Sequence, residues 1–183
     1  LSVSAHKLGG PAGVGALLVR RGLRIRPLHV GGDQERARRA GLEPVALVAG
    51  FGAAAEELAG GALDREAAEQ RRLTERILAA VREMEGLRVY GDPDDRLPHL
   101  VCLGVDGVEP QAVLLGLDRA GVAAHSGSAC SSESLEPSPV LEAMGVDAHH
   151  SLRLSVGWST TDEDVDAALQ ALPGILESLR ALR

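Results

Sequence analysis

The chain has 183 residues, 45% hydrophobic and 25% charged, enough for one ordinary domain or a small domain with part of another, and the composition excludes a disordered or fibrous protein. A formal charge of −7 argues against a general nucleic-acid surface, and no apolar run approaches the ~18 residues of a membrane span. Two cysteines, Cys102 and Cys130, with no C-x-x-C spacing exclude a disulfide framework and predict a free thiol in a cytoplasmic protein.

The chain opens at Leu1 on what reads as the middle of a fold, which predicts a piece of a longer polypeptide. Val14 to Arg20 reads as a strand, and Leu23 to Leu28 as a second one paired with it through an Arg21-Gly22 turn. Gly31 to Gly41 is polar and glycine-bounded, so a loop is expected there. Pro44 to Leu58 carries Val45, Val48, Ala49 and Leu58 at helical spacing and predicts a largely buried helix ending near Gly60 and Gly61. From Leu63 to Glu85, Leu73, Ile77, Val81 and Met84 form an apolar stripe closed by Gly86, the pattern of a long amphipathic helix. Strands follow at Leu87–Tyr90, His99–Val105, Val122–Ala124 and Ser151–Val156, with helices at Pro110–Ala120 and Pro139–Met144. A last helix starts at Thr161, capped by Asp164, with a kink or restart expected at Pro173. The sum is a small sheet backed by helices, with an aliphatic core because Phe51, Tyr90 and Trp158 are the only aromatics.

Lys7 is the only lysine beside eighteen arginines. Arginine replaces lysine wherever a solvated charge suffices, but guanidinium forms no Schiff base, so a lone lysine is a candidate for amine chemistry. It sits in Ser4-Ala5-His6-Lys7, ahead of the glycine-rich Leu8 to Gly15, where a hydroxyl and an imidazole flank the amine. Cys130 lies in His125 to Pro137, a stretch of small and polar residues that reads as an exposed loop suited to a reactive thiol. Cys102, in Leu100-Val101-Cys102-Leu103, reads as a small hydrophobe in the core. Arg20, Arg21, Arg24 and Arg26 read as a solvated face, and His6, His29, His125, His149 and His150 fit no metal-ligand spacing.

Three segments, in this order and spacing, resemble the NifS- and IscS-like cysteine desulfurases, class V aminotransferases with the type I fold of pyridoxal-phosphate enzymes. They are Ser4 to Gly15, Ser126 to Ser132 around Cys130, and Ser151-Leu152-Arg153-Leu154-Ser155-Val156-Gly157. A fourth, Gly31 to Gly41, resembles the family's Gly-Gly-x-Gln-Glu-Arg-Gly-x-Arg-x-Gly-Thr stretch, with Ala37 in place of a common glycine and Leu42 in place of the threonine that reaches the partner subunit's cofactor phosphate. The resemblance covers nearly the whole chain. It implies an α/β fold, the C-terminal portion of a fold type I transferase, with residues 1–60 as a remnant of the large cofactor-binding domain and 61–183 as the small C-terminal domain bearing the cysteine loop.

The same resemblance implies that Lys7 holds pyridoxal 5′-phosphate and moves the substrate's α-proton, with Ser4 and His6 on the phosphate. Arg153 would pair with the substrate carboxylate, and Cys130 would take the sulfur of L-cysteine as a persulfide, leaving L-alanine. The implied partners are a second copy in a homodimer and a sulfur-acceptor or scaffold protein, for iron–sulfur cluster assembly or other thiolation; no metal, nucleic acid or membrane is implied. In the family the aspartate on the pyridine nitrogen, the ring-stacking histidine and the main phosphate loop belong to the N-terminal half, so this chain alone is expected to be inactive. Two other readings stay open: a class V transaminase or lyase without persulfide chemistry, and a non-catalytic dimerisation or partner-binding module.

Overall fold

The computed structural model describes residues 1–126 and 137–182. The chain folds as two compact units, Leu1–Asp64 and Arg65–Arg183. No single helix among the described residues is long and apolar enough to cross a membrane.

The first unit is built on a small antiparallel pair, β1 (Ser2–Ser4) against β2 (Gly15–Leu17), in the register Ser2 with Leu17, Val3 with Ala16 and Ser4 with Gly15. Gly15 is required at this crossing, because a Cβ there would lie 2.5 Å from the Val3 carbonyl oxygen. The partner of β2 is therefore the strand ahead of Lys7, and not Leu23–Leu28 as expected from the sequence. The turn between them does form, with the Leu23 N–H on the Arg20 carbonyl at 3.2 Å. Its only left-handed residue is Gly22 at φ +90, the third of the four, which is the type II pattern. That turn splays the flanking strands, whereas hairpins need the primed types.

Downstream, α1 (Gln34–Ala37) is a single turn in which Glu35, Arg36 and Ala37 all have left-handed dihedrals, at φ 52, 60 and 59. It is closed by Ala37 N–H to Asp33 O at 2.9 Å and Arg38 N–H to Gln34 O at 3.1 Å. The helix α2 (Val45–Ala59) lies where apolar spacing predicts one, but none of its residues is buried, contrary to expectation. Apart from Glu56 and Glu57 it is apolar; Pro11 packs against Gly50 and Gly13 lies beside Leu47, but Val45 and Val48 stay exposed.

The second unit carries the core. The amphipathic helix α3 (Ala62–Arg82), which begins just before the unit boundary, buries Leu73, Thr74, Ile77, Leu78 and Val81. Its stripe faces a three-stranded antiparallel sheet in the order β3 (Leu87–Tyr90), β4 (Leu100–Val105), β5 (Ser151–Ser155). Val101, Leu103 and Val105 of β4 and Leu152 and Leu154 of β5 alternate inward against α3, α4 (Pro110–Arg119) and α6 (Asp162–Arg180). Each such Leu or Val contributes about 1.5–3 kcal/mol on full burial. Gly116 lets α4 approach α6, since a Cβ there would come within 2.7 Å of Ile175.

Val122–Ala124 forms no strand; it packs on the core edge, and only His125 makes an isolated bridge, to Arg153. A short helix, α5 (Pro139–Ala143), stands before β5. At the start of α6 the Thr161 hydroxyl accepts the Asp164 N–H at 3.3 Å and the Asp164 carboxylate accepts the Thr161 N–H at 2.8 Å. The helix then runs through Pro173 without the expected break.

Candidate active site

Ser4, His6 and Lys7 are gathered on one turn of the first unit. Ala5–Leu8 is a 3-10 turn leading out of β1, capped by Gly9 at φ +80. Its pivot is Ala5, the one buried residue of that unit. The Ala5 N–H donates to the Val14 carbonyl at 3.1 Å, and its own carbonyl accepts from Gly10 at 2.9 Å. A Cβ on Gly10 would meet that carbonyl oxygen at 3.1 Å, so the loop folds this tightly only with glycine. With Ala5 turned inward, His6 and Lys7 point outward and Ser4 is half-buried, its hydroxyl making no capping hydrogen bond. Lys7 has no ion pair or hydrogen bond among the described residues.

This donor set fits the cofactor the sequence implies. A primary amine that no carboxylate engages is available to an aldehyde, and an adjacent hydroxyl and imidazole are apt for phosphate oxygens.

Arg153 lies in the second unit, at the centre of β5. Tyr90, Cys102 and Arg153 are paired in register across the three strands, on the face opposite the core. The backbone of Arg153 is clamped from its other side by His125: the Arg153 N–H donates to the His125 carbonyl at 2.6 Å and the His125 N–H donates back at 3.1 Å. The side chain lines a cavity of about 480 Å³ together with Cys102, Tyr90, Arg96 and the apolar Leu100 and Met144. Its Nε is buried and has no hydrogen-bond partner among the described residues, so a positively charged donor lies at the cavity unmatched by them.

Cys102 is consequently not a core residue, which corrects the sequence expectation. In a run as uniformly apolar as Leu100 to Leu103, alternation decides which side chains turn inward; here those are Val101 and Leu103. Burial pushes the Cys102 thiol up from its ordinary value, and the Arg153 charge partly opposes this. Arg96 was not singled out in the sequence. Its guanidinium reaches the Thr74 hydroxyl at 3.2 Å, yet its Nε is also buried and has no partner among the described residues. Nothing in the Asp- and Pro-rich segment around it signals that placement.

Cys130 lies outside the described residues. Both flanks of its segment are described: His125 is hydrogen-bonded to Arg153, and Ser138 lines the same cavity. The His125 Nδ1 lies 2.6 Å from the Ser126 carbonyl, which makes it the donor nitrogen. No group of three or more metal-ligating side chains occurs among the described residues.

The chain is similar across its full length to a cysteine desulfurase of Gluconacetobacter diazotrophicus, at 48% identity over 46% of that protein. It is 44% identical to cysteine desulfurase IscS 1 of Archaeoglobus fulgidus, again over the whole chain and 48% of the relative. Among solved structures, a NifS-like protein from Rickettsia africae matches with a TM-score of 0.84 and 28% identity, covering 96% of this chain and 47% of that one. The chain thus spans about half the length of the relatives it matches. Its fold is that of the C-terminal portion of these enzymes. The model of the class-V aminotransferases matches residues 1–168, taking in both the Lys7 turn and the Arg153 strand, and the chain belongs to that family.

Proposed function

We propose that the full-length polypeptide containing this chain is a pyridoxal-phosphate-dependent cysteine desulfurase that converts L-cysteine to L-alanine and receives the sulfur on Cys130. The observation that carries the reading is the unpaired Lys7 amine, the chain's only lysine side chain, held outward on a glycine-locked turn. Whole-chain identity of 48% to a cysteine desulfurase supports it.

Pyridoxal 5′-phosphate, when bound, supplies an aldehyde for an amine and an electron-withdrawing ring that acidifies the substrate's α-proton. Lys7 holds it, and the Ser4 hydroxyl and His6 imidazole bind its phosphate. The Lys7 Nζ, once free, takes the substrate α-proton and carries it onward. Arg153 binds the substrate carboxylate, giving its unmatched Nε–H an acceptor; a guanidinium edge and a carboxylate make two parallel hydrogen bonds. The Cys130 thiolate attacks the substrate sulfur. A sulfur–sulfur bond forms, the carbon–sulfur bond breaks with its electron pair remaining on carbon, and that carbon takes a proton to become the methyl group of alanine. The persulfide is then passed to an acceptor or scaffold protein, for iron–sulfur cluster assembly or another thiolation. The enzyme works in the cytoplasm as a homodimer, and the 183-residue chain alone is inactive.

The test is alanine release from cysteine by the full-length polypeptide with added cofactor. Lys7→Ala is expected to abolish turnover and the borohydride-reducible adduct at that position. Cys130→Ser is expected to lower turnover at least a hundredfold. Undiminished turnover in Cys130→Ser would favour a class V transaminase or lyase without persulfide chemistry, and a wild type with no adduct would favour a non-catalytic binding module.

A further inference from the structure

A guanidinium withdrawn from water ordinarily finds an acceptor within the protein, because a buried charge without a partner is costly. Arg153 departs from this: its Nε is buried, and it has no ion pair among the described residues. The groups around it withhold their oxygens. Tyr90, at the far end of the row Tyr90, Cys102, Arg153, folds over Gly104, where a Cβ would collide with the phenol oxygen. The Tyr90 hydroxyl is thereby turned to the Asp147 carbonyl, at 3.4 Å. Asp92, an exposed acid at the same cavity, accepts the Asp94 and Asp95 N–H groups at 2.9 and 2.8 Å. The cavity's other acid, Asp95, is exposed and has no ion pair among the described residues. Directly across the strand from Arg153 stands Cys102, part-buried in the cavity wall. A thiol is a weak acceptor, and burial keeps this one in its uncharged form.

We propose that Cys102 is a positioning residue of the carboxylate site: a small, uncharged cross-strand neighbour that leaves the Arg153 guanidinium without an internal acceptor and so reserves it for the carboxylate of L-cysteine. The inference rests on the proposed role of Arg153. An oxygen acceptor at position 102 would take the buried Nε–H, and an arriving carboxylate would have to displace it before its own two parallel hydrogen bonds could form. That competition acts on substrate binding and leaves the proton transfers at Lys7 untouched, so it raises KM and spares kcat. A carboxylate at position 102 competes more strongly than an amide oxygen of the same size, because a hydrogen bond between two charged groups is the stronger one.

The experiment is steady-state alanine release by the full-length polypeptide with pyridoxal 5′-phosphate, over a range of cysteine concentrations. Cys102→Asp is expected to raise KM at least tenfold while kcat falls less than threefold. Cys102→Asn, equal in size but uncharged, is expected to raise KM about two- to fivefold, and Cys102→Ala, which brings no acceptor, less than Cys102→Asn. Arg153→Gln alone is expected to raise KM at least tenfold, and adding Cys102→Asp to it to raise KM no more than twofold further, since the guanidinium to be captured is gone. Equal KM for the Asp and Asn variants, an effect of Cys102→Ala as large as that of Cys102→Asp, or full additivity with Arg153→Gln would each overturn the inference. Should Cys102→Asp fail to fold, the order of Asn above Ala carries the test, and equal KM for those two overturns it. An unchanged KM in Arg153→Gln would remove the proposed role of Arg153 and this inference with it, whereas a large effect of Arg153→Gln with none of Cys102→Asp would remove this inference alone.

Discussion

Arg153 uses both of its backbone hydrogen-bonding groups on His125 while its buried Nε–H has no partner among the described residues. An unmatched buried donor on a charged group costs on the order of 1–3 kcal/mol, and an arriving carboxylate recovers that cost. Cys102, its cross-strand neighbour, shows the opposite economy of charge. Burial is the main influence on its thiol and raises its pKa, so at a given pH less of it is thiolate than of a free cysteine. At pH 8, alkylation of Cys102 by iodoacetamide, followed by peptide mass spectrometry, is expected to be several-fold slower than that of glutathione. An equal rate would mean that the thiol is open to water. Composition alone singled out Lys7, one lysine among nineteen lysines and arginines, and the structure turns it outward with no partner among the described residues. The placement of Cys102 was not, since four successive apolar residues do not say which pair faces inward.

Among the elements, α1 holds three successive L-residues in left-handed dihedrals, a conformation that costs roughly 1–2 kcal/mol per residue outside glycine. Ala37→Gly is therefore expected to raise stability by about 1 kcal/mol, read as a higher urea midpoint with an unchanged slope. No rise would mean that the loss of chain entropy cancels the relief. At the start of α6, the Arg72 guanidinium beside Asp162 holds that carboxyl below its usual range. A lowered carboxyl stabilises the fold above its unfolded value of about 3.9, and the contribution fades as pH falls toward its folded one. Asp162→Asn is expected to lower Tm slightly at pH 7, with the gap to wild type closing below pH 4; a gap that persists in acid would place the effect in helix capping and not in charge. The strands β3, β4 and β5 and the helices α3, α4 and α6 were readable because their apolar residues repeat with a clear period. The β1–β2 pair was not, because each strand is three residues long and the turn at Gly22 mimics a hairpin.

For the molecule as a whole, the two units differ in what they bury. The aliphatic cluster from Leu73 to Leu176 lies in the second, while the first has only Ala5 fully inside. In hydrogen exchange of the 183-residue chain, the amides of β4 are expected to exchange slowest and those of α2 orders of magnitude faster. In the full-length polypeptide, α2 is expected to gain protection while β4 stays as it was. Equal rates for α2 in both would show that this apolar helix needs no cover. Apolar residues at helical spacing announced the helix but not what covers it, which is why its burial was misjudged from sequence.

The doubly bonded contact between His125 and Arg153 fixes the backbone a short way ahead of Cys130. Cys130 lies five positions after His125, and an extended chain spans at most about 18 Å over that distance. On the proposed function, the reach of Cys130 is centred on the strand proposed to bind the substrate carboxylate. On that proposal an acceptor must bring its own nucleophile inside this circle, and a few glycines inserted after Ser126 would widen the circle without touching the His125–Arg153 contact.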